Sequence, residues 1–136
     1  MTGTANTDTV VFICGSALRG QPDHGNLQNA QFIREAKTAP RYRLHSVQDG
    51  WHPGIYEVEA DAVKGIAIPG ELYALTAAQY EHLVSTEPPH MYPAEVTLES
   101  GETAIAMLYP KALIDEHDWP DISHLGGWAA YKASQA

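Results

Sequence analysis

The sequence predicts a single α+β domain built on a small, curved, mostly closed mixed sheet with short flanking helices. Three observations carry this expectation. Five or six strand-like runs can be read along the chain, one to three short helical segments accompany them, and two of the runs are interrupted by glycine or proline. Strands that are not regularly separated by helices argue against a layered βαβ arrangement and for a sheet that curls on itself.

The elements follow in order. Residues 10–14 (VVFIC) form a continuous run of β-branched and aromatic residues, ended by Gly15, which reads as a buried central strand entering a turn. Residues 16–25 (SALRGQPDHG) hold two glycines and a proline and read as a loop. Residues 26–36 fit either a short helix or an irregular ledge. In residues 38–47, Tyr42, Leu44 and Ser46 alternate with Arg41, Arg43, His45 and Val47, the pattern of a strand with one buried face. A turn at Gln48-Asp49-Gly50 and a tight bend at Trp51-His52-Pro53-Gly54 precede a further strand, IYEVE. Residues 64–75 read as a strand broken by a bulge at Pro69-Gly70. Thr76 and Gln79 have capping-box spacing and open a helix over 77–86, which Pro88-Pro89 closes. Residues 92–98 and 103–109 are two strands joined by a hairpin at Glu99-Ser100-Gly101-Glu102, and the tail ends in a short helix over 126–134. Residues 1–9 read as a frayed tail, leaving 10–136 as the domain.

Composition narrows the function. A length of 136 residues with 44% apolar content suits one self-sufficient core. Seventeen acids against eight bases give a net charge of −9, so the surface repels phosphate and nucleic-acid binding is not expected. No apolar run reaches the roughly 20 residues of a membrane span. The single cysteine excludes an internal disulfide and, with an N-terminus unlike a signal peptide, fits a cytoplasmic protein.

The residues suggest chemistry at few places. Successive N–H groups in the turn Gly15-Ser16-Ala17-Leu18 can form a nest for a carboxylate or carbonyl oxygen, although the glycine alone would also serve to turn the strand. Glu87, fixed between a capped helix and two prolines, is a candidate general base if it is partly desolvated, and otherwise a solvated helix-terminal acid. Of seven histidines, none has metal-site spacing, and no metal or cofactor is expected. His90 lies three residues after Glu87 and His24 lies in the loop after the first strand, so both are candidate assistants. Cys14, at the end of a buried run, reads as an inert thiol.

Taken in order, these pieces resemble the gamma-glutamylcyclotransferase-like superfamily. Its pattern is a strand ending in YGSL, a later G-x-LY-x-L, a helix, and a Glu followed by a Tyr that opens a hairpin. Here these are Cys14-Gly15-Ser16-Ala17-Leu18, Gly70-Glu71-Leu72-Tyr73-Ala74-Leu75, and Glu87 with Tyr92. A closer resemblance, to the C-terminal domain of allophanate hydrolases, lies in TAPRYRL (38–44), Pro53-Gly54, and Asp121-Ile122-Ser123-His124-Leu125-Gly126-Gly127-Trp128 with Tyr131, which is similar to that domain's DIT-x-FGGW-x-x-Y ending. The resemblance implies a small closed β-barrel with a pocket at one mouth. It also implies residues 14–18 and Tyr92 as substrate-binding and Glu87 as the base that lets a γ-glutamyl α-amine attack its own γ-carbonyl. Departures are Cys14 in place of Tyr, Ala94 in place of Arg, and Pro88 in place of Gly. The allophanate hydrolase domain, in turn, typically has no acid at the Glu87 position.

Three functions follow. The first is an enzyme acting on a γ-glutamyl compound or related small amide that has an anionic end. The second is processing of a carboxylated urea or carbamate, with His24 or His90 assisting. The third is a non-catalytic module serving a separate amidase. A homodimer is left open.

Overall fold

The computed structural model describes residues 8–15, 17–21, 23–48, 50–58 and 65–135. These residues contain seven strands: β1 (Thr9–Ile13), β2 (Gln31–Lys37), β3 (Tyr42–Val47), β4 (His52–Glu57), β5 (Pro69–Leu75), β6 (Tyr92–Thr97) and β7 (Thr103–Leu108). Among the same residues there are three α-helices: α1 (Ala77–Ser85), α2 (Lys111–His117) and α3 (Trp128–Gln135). Five strands make one mixed sheet in the order β2-β5-β1-β7-β6, and β3 pairs with β4 as a separate hairpin. β1 is the centre, antiparallel to β5 and parallel to β7.

The α+β class is met, but a continuous closed barrel does not form among the described residues. The two sheet edges, β2 and β6, meet just beyond their ends at the isolated bridge Thr38↔Leu98. There the Ala39 N–H donates to Thr97 O and the Glu99 N–H to Lys37 O, both at 2.9 Å. Closure stops because the β3–β4 hairpin supplies the next contact instead: the Tyr42 hydroxyl accepts from Thr97 N–H at 2.9 Å, taking the place of a neighbouring strand's carbonyl.

Burial explains why β1 is the centre. Val11, Phe12 and Ile13 are all buried, so the strand is covered on both faces. Phe12 packs with Tyr42, Leu44, Leu72 and Trp128 on one side, and Val11 and Ile13 pack with Leu27, Leu75 and Leu83 on the other. Trp128 is 1% exposed, so the C-terminal tail docks on its own chain. The α1 cap forms as the sequence predicts, with Gln79 N–H donating to Thr76 Oγ1 at 3.2 Å and Thr76 N–H to Gln79 Oε1 at 2.9 Å.

Four expectations are corrected. Residues 31–37 are a strand, not a helix or ledge; QFIREAK is almost wholly exposed, so it lacks the apolar alternation that marks a strand. Residues 52–54 are not a bend but the start of β4, paired across to Val47, Ser46 and His45. Gly54 is needed there for close packing, because a Cβ would stand 2.6 Å from Val47 Cγ2. β5 begins at Pro69 without a break, and the irregularity lies in its partner β2, between Phe32 and Arg34. Thr9, assigned to the tail, already pairs with Leu75. Residues 1–7 and the expected strand start at residue 64 lie outside the described residues. The helix α2 is an addition to the expected elements, and no helix among the described residues is long and apolar enough to cross a membrane.

Candidate active site

The end of β1, the start of β4 and the segment after α1 converge on a small cavity of about 50 Å³. Cys14, Gly15 and Ala17 line it from the first, His52, Pro53 and Ile55 from the second, and Glu87 and Met91 from the third. Gly15 is required by the approach of β4: a Cβ on it would stand 2.5 Å from Pro53 Cγ. Glu87 is placed by the helix end, where its N–H donates to Val84 O at 3.2 Å and the following Pro88 stops the helix.

Most of the cavity wall is apolar, and that sets the electrostatics. Burial pushes the Glu87 carboxyl from its ordinary 4.5 up to about 7, and the like charge of Asp23 adds to the effect. Burial, with the charge of Glu87, pushes the Cys14 thiol up to about 12, so it stays protonated and poorly nucleophilic at neutral pH. Burial lowers the His52 imidazole below its ordinary value. At neutral pH the cavity therefore holds a half-ionised carboxyl beside two neutral groups, which is the condition a general base needs.

The sequence-predicted residues separate into two sets. Cys14, Gly15, Ala17 and Glu87 are brought together, whereas Ser16 lies outside the described residues. Leu18 is buried beside the turn, and its N–H donates to Gly15 O at 3.1 Å, so that amide is spent within the turn. Tyr92 opens β6 with its side chain 42% exposed and does not line the cavity. His90 is exposed in a left-handed conformation (φ 75°), its ring edge-on to Tyr109 at 6.4 Å, and does not line it either. His24 supports the loop from outside, with Nδ1 2.9 Å from Ala17 O. No cluster of three or more metal-ligating side chains occurs among the described residues.

Two features escape the sequence reading. One is His52, hidden within a string that reads as a bend. The other is the anchor of the loop after β1: Arg19 Nε and N–H donate to the buried Glu71 carboxylate at 2.9 and 3.1 Å, and the Tyr73 hydroxyl adds a third bond at 2.8 Å. Burial pushes the Glu71 carboxyl up, but the bonds from Arg19 and Tyr73 outweigh it and hold the group below its ordinary value. An acid inside the apolar run of β5 is the signal that could have found it, because a buried carboxylate demands a partner. A larger cleft of about 900 Å³ lies elsewhere, between Arg34, Lys37, Glu71, Ser100 and Trp128, and shares no lining residue with the small cavity.

The sequence profile of the allophanate hydrolase C-terminal domain matches residues 9–133. The chain belongs to that family. It is also 28% identical over 118 residues to a Vibrio cholerae serotype O1 protein assigned provisionally as a gamma-glutamylcyclotransferase, covering 81% of this chain and 94% of that one. Among solved structures, a uropathogenic E. coli-specific protein superposes with a TM-score of 0.83 at 29% identity, covering 93% of this chain and 97% of the other. The Kluyveromyces lactis allophanate hydrolase superposes with a TM-score of 0.86 at 24% identity over 95% of this chain, which spans 22% of that enzyme. A mouse AIG2-like protein shares the fold, with a TM-score of 0.61 at 19% identity over 84% of this chain and 85% of its own. The family and its place among gamma-glutamylcyclotransferase-like folds are therefore as the motifs indicated.

Proposed function

We propose that this domain is a cyclotransferase-type enzyme acting on a γ-glutamyl compound or a related small amide, with Glu87 as general base. The observation that carries the reading is a carboxyl lifted to about 7 in an apolar cavity at the end of the central strand. Ionised Glu87 removes a proton from the substrate's α-ammonium group. The freed nitrogen attacks the γ-carbonyl carbon, a C–N bond forms, and the γ-amide C–N bond breaks. Glu87 returns that proton to the departing nitrogen, then takes the second proton from the ring nitrogen and passes it on to the released amine, so the products are 5-oxoproline and an ammonium ion. The Gly15 and Ala17 amides are assigned to the substrate's anionic end, since the Leu18 amide is already engaged. The relative from Vibrio cholerae supports the same class.

The family match favours a second reading, in which the domain processes a carboxylated urea or carbamate, or serves a separate amidase. Incubation with γ-glutamyl dipeptides, γ-glutamylamines and allophanate, beside a Glu87→Gln control, separates the two. Formation of 5-oxoproline that the Gln variant abolishes supports the first. Consumption of allophanate alone supports the second.

A further inference from the structure

We propose that His52 is an amine-binding residue of this cavity: its Nε2 accepts a hydrogen bond from a primary amine that Glu87 binds beside it. The inference rests on the reading of the Glu87 cavity as a substrate site and narrows that site to one class of group.

Three observations lead there. His52 opens β4, is 2% exposed, and is held between Trp51 and Tyr109, with ring centroids 5.3 and 5.6 Å away. Its Nδ1 lies 3.0 Å from Pro53 O. A carbonyl oxygen only accepts, so Nδ1 carries the hydrogen and, in the neutral ring, Nε2 presents a lone pair. Among the described residues, this Nε2 is the one buried side-chain nitrogen or oxygen that no protein group reaches. A buried acceptor left unpaired costs free energy, so its retention calls for an explanation.

The cavity supplies one. His52 and Glu87 line the same space of about 50 Å³, which has room for roughly one or two water-sized groups. It therefore takes the head of a ligand, not a whole γ-glutamyl unit. An anionic head would meet a carboxylate and a lone pair, and a hydroxyl has a single hydrogen for two acceptors. A primary amine satisfies both: one hydrogen goes to Glu87, a second stays on His52 Nε2, and the nitrogen lone pair is left directed by those two bonds. His52 thus orients the nucleophile that Glu87 deprotonates.

The test uses the full chain at pH 8, with γ-glutamylmethylamide as substrate and methylammonium as the minimal amine probe. Kinetics of wild type, His52→Phe and His52→Gln are measured, with thermal stability alongside. In wild type and in Glu87→Gln, the His52 imidazole nitrogens are followed by 15N NMR. The expected result is a tenfold or larger fall in kcat/KM for H52F, carried mainly by KM, with most of it regained in H52Q, which keeps an acceptor near the Nε2 position. H52F should melt no lower than wild type, because the unpaired acceptor has gone. The free protein should show hydrogen on Nδ1, and the Nε2 resonance should move upfield saturably with γ-glutamylmethylamide in E87Q and with methylammonium in wild type. Movement with methylammonium when wild type turns over no γ-glutamyl compound sinks the cyclotransferase reading and leaves the amine site standing. An Nε2 resonance unmoved by both probes, a hydrogen found on Nε2 in the free protein, or equal kcat/KM in wild type and H52F overturns the inference.

Discussion

Replacing Glu87 by Gln should stabilise the folded protein at alkaline pH and leave it unchanged near pH 4.5. The folded-state value of this carboxyl, about 7, lies above its ordinary 4.5. Between those values the folded protein keeps the proton while the unfolded chain releases it. Stability is therefore intact below pH 4.5 and declines as pH rises to about 7. The interval corresponds to at most ~3 kcal/mol, at about 1.4 kcal/mol for each pH unit. Because Glu87 is partly exposed, ~2 kcal/mol is the reasonable expectation. Gln copies the shape of the protonated carboxyl without the ionisation, so the variant escapes this loss. For a domain of this size, ~2 kcal/mol is about 7 °C in Tm. The assay is thermal or urea unfolding of wild type and variant at pH 4.5 and pH 8. The difference between the two proteins isolates Glu87 from every other titrating group. A variant that gains nothing at pH 8 would mean that the carboxyl is solvated in the folded protein, and the general-base argument would lose its physical basis.

The other predictions concern how the cavity is built. In wild type, kcat/KM should rise with pH through an apparent value near 7, because the proposed general base acts in its ionised form; a rate independent of pH from 5 to 9 would contradict this. Gly15→Ala should lose ~1–3 kcal/mol by urea titration, because its Cβ meets Pro53 Cγ, and Pro53→Ala in the same chain should recover part of the loss. Arg19→Ala removes the charged partner of the buried Glu71 carboxylate, which keeps its bonds from the residue-19 N–H and the Tyr73 hydroxyl, and should lower stability in urea unfolding, with the Arg19→Ala, Glu71→Gln double variant losing less than the sum of the singles. Trp128→Ala should cost ~3–5 kcal/mol, measured by unfolding, because the ring is fully buried in the main core.

How much of this was legible in the sequence depended on whether a local signal existed. The central strand, the capped helix and the 92–108 hairpin each announce themselves by an apolar run, a Thr76–Gln79 pair or a Gly101 turn, and the structure forms all three. Glu87 stands out because two prolines pin it at a helix end. By contrast, β2 is stabilised by pairing with β5 and not by burial of its own side chains, so QFIREAK carries no pattern to read. The start of β4 looked like a bend because Pro53 and Gly54 usually break strands. Here Gly54 admits the close approach of Val47, and Pro53 forms a wall of the cavity. That same misreading hid His52, whose significance depends on what lies around it in space. Tyr92 and His90 are near Glu87 in sequence, yet the chain turns them away from the cavity, which spacing alone does not reveal.

Whether Glu87 drives cyclisation is decided by incubating the purified protein with γ-glutamyl dipeptides and γ-glutamylamines and quantifying 5-oxoproline by mass spectrometry, beside Glu87→Gln. Wild type should form 5-oxoproline from at least one compound, and the variant none above background. Equal product from both proteins, or product from neither, would contradict that role.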